Sequence, residues 1–219
     1  MNFSNVKSIQ IPEGDVLSLA INGVTVWQKN TLPYDAEIEY IQGSGGPYID
    51  TGIDVPDVTR VAMKMEVATR PAANEYPFGE QGFFGSTAAK GRLMLCVYVN
   101  TNADYLAYCD FPNVGRTTYS LSSSVITINK SFAVATAITN TQRILVFRAA
   151  KNATRVTPTD VSNGVYRLYY LKLWGANDAL IFDGIPVRKG QVGYLYDKVS
   201  GNLFGNSGSG TFTLGPDKA

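Results

Sequence analysis

Three carboxylates alternate in the stretch DAEIE: Asp35, Glu37 and Glu39. Alternate residues of an extended strand share a face, with Cα atoms roughly 6.7 Å apart. Retaining glycoside hydrolysis needs two carboxyl groups about 5 to 5.5 Å apart, so Glu37 and Glu39 are spaced to be tested for that chemistry. A second acidic set, Asp50, Asp54 and Asp57, lies in DTGIDVPD. Spaced oxygen ligands on a loop suit Ca2+. The same residues also cap turns through their own side chains, and both readings stand at this stage. The third set is aromatic and amidic: Tyr98, Asn100, Asn102 and Tyr105 in YVNTNADY, with Trp174 farther along. Aromatic rings pack against the apolar faces of sugars while amides supply polar contacts. These five residues form the candidate carbohydrate-binding set, although tyrosines also serve as core and interface residues.

Other chemistry is excluded by what the chain lacks. There is no histidine among the 219 residues. That removes the Ser-His-Asp and Cys-His nucleophile systems and most zinc sites. The formal charge is +1, and the basic residues are scattered. Nucleic-acid binding by phosphate neutralisation needs a clustered basic patch, so no nucleic-acid partner is expected. The glycines of GNSGSG are followed by neither a Lys-Ser/Thr pair nor a helix signal, so they are not read as a phosphate loop. No apolar run approaches the length of a membrane span. The opening MNFSNVKSIQIPEG has no basic segment followed by an apolar run, so no secretory leader is read there. Cys96 and Cys109 are the two cysteines. If the turn between them centres near Thr101-Asn102, they lie nearly opposite each other on paired strands. A bridge is then geometrically open.

The elements that must position these residues are strands. Tyr, Phe, Val, Ile and Thr are frequent, Gly is high at 21, and charged residues are only 17%. This is the composition of pleated sheets joined by glycine- and asparagine-rich turns. Residues 1–30 read as a small module of short strands, with Asn22-Gly23 as a hairpin turn between VLSLAI and VTVW. Residues 31–219 read as one larger β domain. AEIEYIQ alternates, with Ala36, Ile38 and Tyr40 predicted on one face. RVAMKMEVAT alternates most clearly, with Val61, Met63, Met65 and Val67 on one face. Further strands read as YIDTGI, FGEQGFFGS, GRLMLCVYV, YLAYCDF, SVITIN, FAVATAI, QRILVFRAA, GVYRLYYLKLW, ALIFDGIPV, Tyr194 to Asp197, Leu203-Phe204 and TFTL. Short strands at 8- to 12-residue spacing predict a sandwich or barrel.

Two stretches carry a family likeness. EYIQGSGGPYIDTGI resembles the opening of concanavalin A-like (laminin-G-like) jelly-roll domains of phage and prophage virion proteins and gut-bacterial surface proteins. Glu39, Tyr40, Ile41, Ser44, Tyr48, Ile49, Asp50, Thr51 and Gly52 carry the match. YRLYYLKLW, running into FDGIPVRKGQVGYLYDKVSGNLFGNSGSGTF, resembles their closing stretch, through Asp183, Ile185, Pro186, Val187, Gly193, Tyr196, Asp197, Asn206, Gly208, Gly210 and Phe212. Residues 1–30 look like the short β modules at the start of phage tail proteins.

The resemblance implies an all-β fold, a concanavalin A-like jelly-roll sandwich of two antiparallel sheets preceded by a small β module. It implies a non-enzymatic virion component in a tail, fibre or head decoration, assembled in the bacterial cytoplasm. Partners would be other virion subunits, in a homo-oligomer such as a trimer, and host-surface glycan. No catalytic residue and no obligatory cofactor is expected. Ca2+ at Asp50, Asp54 and Asp57 would follow the rim calcium sites of laminin-G-like domains. Assembly in a cytoplasm would leave Cys96 and Cys109 as thiols. The alternatives are a glycoside hydrolase using Glu37 and Glu39, by analogy with jelly-roll glucanases, and a bacterial cell-surface adhesin.

Overall fold

Alternating apolar residues decide the architecture. In β6 (Arg60–Thr69), Val61, Met63, Met65 and Val67 are buried while their neighbours are half-exposed or exposed. A strand of this kind must lay its apolar face on another layer. A computed structural model describes residues 18–21, 24–28, 32–81, 93–97, 105–111, 114–120, 123–132, 143–151 and 164–219. The chain divides into two compact units, 1–33 and 34–219. In the first, β1 (Ser18–Ile21) pairs antiparallel with β2 (Val24–Gln28), and Ile21 lies opposite Val24.

Among its described residues the second unit is built almost wholly of strands, with two short 3-10 turns, Val55–Asp57 and Ala176–Asp178. Among the described residues it holds two sheets. One contains nine strands: β3 (Ala36–Glu37), β4 (Ile41–Ser44), β6, β11 (Val125–Ser131), β14 (Val165–Trp174), β15 (Leu180–Lys189), β16 (Val192–Asp197), β17 (Leu203–Phe204) and β18 (Thr213–Leu214). Its main order is β11-β6-β14-β15-β16-β17, all antiparallel. The other contains β5 (Ile49–Asp54), β7 (Glu75–Gln81), β8 (Met94–Val97), β9 (Tyr105–Phe111), β10 (Gly115–Ser120), β12 (Arg143–Val146) and β13 (Ala150–Lys151). Only the β13–β7 pair in it is parallel. The expected sandwich of two antiparallel sheets is therefore what the chain forms.

The core lies between the sheets. Met63, Met65, Leu168, Leu171 and Phe182 come from one sheet; Ile49, Phe78, Leu95, Cys109 and Phe111 come from the other. Fully burying each such side chain contributes about 1.5–3 kcal/mol. Among the described residues a polar link crosses this core: Tyr166 on β14 donates its hydroxyl to Glu75 Oε2 on β7 at 2.5 Å, and both residues are buried. Phe147, between β12 and β13, takes a left-handed φ of 68°. That conformation costs about 1–2 kcal/mol for a residue with a side chain. It sends the ring into the core against Phe212, 5.6 Å away between centroids. A Cβ at Gly43 would stand 2.6 Å from that ring, so only glycine fits there.

The turn after β16 is held by a single carboxylate. Asp197, 2% exposed, accepts hydrogen bonds from the backbone N–H groups of Asp183, Val199 and Ser200 and from the Ser200 hydroxyl, at 2.6–3.1 Å. Gly201, at φ 74°, closes the turn through its N–H to the Asp197 carbonyl. The GNSGSG loop is held in a related way. Asn206 accepts from the N–H groups of Tyr48 and Gly208 and donates to the Gly210 carbonyl. The stretches that carry the family likeness thus close on each other in space.

Two expectations are corrected, and one strand is added. AEIEYIQ is not one alternating strand: β3 ends at Glu37, and Ile38 and Ile41 are both buried, so the phase slips at Glu39-Tyr40. GRTTYS, which has no apolar alternation, is a full strand, β10. The cysteines are one register step from facing each other. Leu95 pairs with Cys109, and Cys96 pairs with Tyr108. A one-residue offset moves a side chain to the opposite face. Cys109 therefore enters the core, while Cys96 clusters with Met94 and Tyr108 on the other side, and both are free thiols. FAVATAI falls outside the described residues except at Phe132.

Two outcomes follow. Asp197→Ala strands three backbone donors in a near-buried turn, so urea unfolding is expected to show a loss of about 2–4 kcal/mol; a loss below about 0.5 kcal/mol would contradict this account. The second concerns alkaline pH. Burial, then the bond to Glu75 and its charge, raises the Tyr166 hydroxyl far above its ordinary value of 10. Burial, then Asp110, lifts the Cys109 thiol well above 9. Burial also raises Tyr119. The unfolded chain loses these protons first, so stability is intact below about pH 8.5 and falls above about pH 9. Tyr166→Phe should flatten that fall, and a urea midpoint unchanged to about pH 11 would contradict the assignment.

Candidate functional site

The two sheets differ in their outer faces. On the seven-stranded sheet, Met94, Cys96, Tyr108, Asp110 and Leu145 point away from the core yet are buried. Asp110 receives a bidentate Arg116 at 2.8 and 3.0 Å, and that guanidinium stacks on the Tyr108 ring at 3.5 Å. On the nine-stranded sheet the outward residues of β6 and β14 are half-exposed: Arg60, Lys64, Glu66, Arg167, Tyr169, Tyr170, Lys172 and Trp174. A sheet face that offers aromatic and charged groups to solvent is where a ligand can be held.

A bulge in β14 builds its centre. Leu168 pairs with Met65 and Tyr170 pairs with Lys64, so Tyr169 is an extra residue in the ladder. Two residues then oppose one, which bends the strand and re-aims side chains. Before the bulge Tyr166 and Leu168 face the core; after it Leu171 and Leu173 do. Tyr169 and Tyr170 both remain on the outside, next to Lys64. Together with Glu39 and Lys218 they line a shallow pocket of about 410 Å3.

Each fixed group in this face has a partner that sets its position. The Tyr169 hydroxyl donates to Glu66 at 2.6 Å. Arg167 approaches both Glu66 oxygens at 3.4 and 3.5 Å and donates to Gln42 at 2.9 Å. Its guanidinium lies 4.7 Å from the Tyr40 ring centre, and Tyr40 meets Tyr169 edge-on at 5.8 Å. The Lys64 ammonium sits 4.4 Å from the Tyr169 ring centre. Such cation–π contacts contribute roughly 0.5–1 kcal/mol at exposed sites. Toward one side, Arg60 covers Trp174 at 4.3 Å and donates to Asn129. Lys172 pairs with Asp183 at 3.0 Å. Burial, followed by the hydrogen bond to Glu66, pushes the Tyr169 pKa up to about 12. This phenol stays a neutral donor throughout the physiological range.

The sequence-derived candidates are placed as follows. Trp174 lies on this face. Tyr105 opens β9 in the other sheet. Tyr98, Asn100 and Asn102 lie outside the described residues. Asp50 and Asp54 converge on Arg143, at 3.1 and 4.0 Å. Asp50 also accepts from the N–H of Gly52 as a turn cap. Asp57 lines a separate pocket of about 570 Å3 with Ile53, Pro56, Ala176 and Ile181. Among the described residues no group of three or more His, Cys, Asp or Glu is placed to hold a metal ion.

The three acids of DAEIE go to different partners. Asp35 accepts from the N–H of Gly190 at 2.7 Å. Glu37 takes a long hydrogen bond from Tyr34 and pairs loosely with Lys218 at 3.5 Å. Glu39 reaches the tyrosine pocket. Tyr40, Tyr169 and Tyr170 were not among the expected binding residues. The signal that locates them is the slip of apolar phase at the doublet in RLYYLKL.

Among the described residues no helix is long and apolar enough to cross a membrane. Comparison with protein-family models, curated proteins and solved structures finds no match.

The Tyr169 assignment has a direct check. Absorbance titration of the phenolates should lose one group ionising near pH 12 in Tyr169→Phe, and a group lost near pH 10 instead would mean that the bond to Glu66 is not made.

Proposed function

We propose that this chain is a non-enzymatic phage or prophage virion component whose concanavalin A-like jelly roll holds host-surface carbohydrate on the open face of its nine-stranded sheet. The observation that carries the binding reading is the bulged tyrosine pair beside Lys64, with Tyr40 and Trp174 on the same face. Sugar rings present apolar C–H faces that stack on aromatic rings, and their hydroxyls accept from and donate to fixed charged groups. Tyr170 offers the stacking ring. Lys64 and Glu39 offer a donor and an acceptor at the rim.

The virion reading rests on the likeness of residues 39–53 and 182–212 to phage jelly-roll domains. In that reading the partners are other virion subunits in a homo-oligomer, a trimer being one such form, and the setting is a particle assembled in the bacterial cytoplasm. Asp35 is held apart by the Gly190 N–H, and Glu37 is paired with Lys218; this favours binding over glycoside hydrolysis.

A glycan array followed by titration calorimetry tests this. At least one bacterial-surface oligosaccharide should bind, and Tyr170→Ala should weaken it by about tenfold or more, the loss of one stacking contact. No binding across the array removes the carbohydrate reading. Release of reducing ends from a polysaccharide panel, abolished by Glu37→Gln, would overturn the non-enzymatic one.

A further inference from the structure

We infer that the tyrosine pocket selects glycans carrying an anionic group, a carboxylate, sulfate or phosphate, on or beside the stacked ring. The inference rests on the carbohydrate reading above and adds the ligand's charge. Several charges around the pocket are already neutralised. Glu66 is spent on Arg167 and on the Tyr169 hydroxyl. Lys172 is paired with Asp183 at 3.0 Å, and Arg60, at the far end of the β14–β6 ladder, covers Trp174 and donates to Asn129. The pocket wall itself holds two ammonium groups, Lys64 and Lys218, against one carboxylate, Glu39.

Neither ammonium is bound tightly. Lys64 rests on the Tyr169 ring, a contact that leaves its N–H donors able to turn outward. Lys218 meets Glu37 at only 3.5 Å, with the two side chains 40% and 36% exposed. Exposed pairs of this kind contribute little to stability, so a ligand anion can replace the partner at small cost.

The neighbouring backbone holds Lys218 in place. The Asp217 carboxylate grips Arg188 with two bonds at 2.7 and 2.6 Å. The N–H of Lys218 donates to the Glu37 carbonyl, and the N–H of Glu39 donates to the Pro216 carbonyl. The segment 213–218 is thus fastened beside β3 and β4, and its lysine is presented to the pocket rather than trailing in solvent. A sugar ring stacked on Tyr170 would bring a carboxylate, sulfate or phosphate within reach of these ammoniums. Charge-assisted hydrogen bonds are roughly twice as strong as neutral ones.

Calorimetry on the full chain decides this. The probes are an oligogalacturonate, a sialyl-lactose, a sulfated galactan fragment and a ribitol-phosphate oligomer, each beside a neutral counterpart. Variants should first be checked for a native circular-dichroism spectrum. One anionic probe should bind about tenfold more tightly than its neutral counterpart. That preference should shrink when salt is raised from about 0.05 M to about 0.5 M. It should vanish in Lys64→Met/Lys218→Met, and Lys64→Arg should retain it. Neutral and anionic probes binding alike, with Tyr170→Ala still abolishing both, would overturn the anion preference and leave the carbohydrate reading in place. Failure of every probe to bind would remove both.

Discussion

β14 pairs with β6 at nine positions, from Val165–Thr69 to Trp174–Arg60, and the ladder must serve two environments along its whole length. One side of it fills the core through Tyr166, Leu168, Leu171 and Leu173. The other side presents Arg167, Tyr169, Tyr170, Lys172 and Trp174 to the open face. A strict period of two would place Tyr170 in the core and Leu171 outside. The extra residue at Tyr169 resets the phase, so the second half of the strand again lays leucines inward. The same insertion that rescues the core puts two tyrosines opposite one lysine. Packing and the candidate site are therefore set by one irregularity.

The surrounding face is rigid because its charges are cross-linked rather than merely present. Isolated exposed ion pairs contribute little. Here Glu66 binds both Arg167 and Tyr169, Arg167 also stacks on Tyr40, and Tyr40 meets Tyr169. Each of these four side chains is restrained by at least two neighbours. A ligand that stacks on such a surface orders few new rotamers, and this reduces the entropy lost on binding. The seven-stranded sheet offers no comparable platform among the described residues, since its outward Met94, Cys96, Tyr108 and Leu145 are already buried.

Legibility in the sequence followed the strength of the local alternation. β6 was readable because Val, Met, Met and Val recur at every second residue. β9 and β17 matched their apolar signals as well. β10 was not readable: its order comes from pairing with β9, and GRTTYS carries no apolar period. AEIEYIQ misled because its pattern continues smoothly through Glu39-Tyr40, where the chain leaves β3 to reach β4. The cysteines misled by one register step, a distance that no turn-centring estimate resolves, yet it decides between a facing pair and opposite faces. Of the candidate aromatics, Trp174 lies at the end of β14 on the open face. Tyr169 and Tyr170 are not legible in the same way, because a strand pattern alone does not show that the ladder shifts register at this doublet.

Asp197 shows how the closing motif contributes without touching the open face. Its carboxylate gathers Asp183 of β15 and the turn residues Val199 and Ser200 into one unit. Asp183 in turn receives Lys172 of β14 on the outer side. The buried turn and the exposed face therefore meet at one residue. Positioning Asp183 fixes the Lys172 ammonium, and this keeps that cation engaged within the sheet.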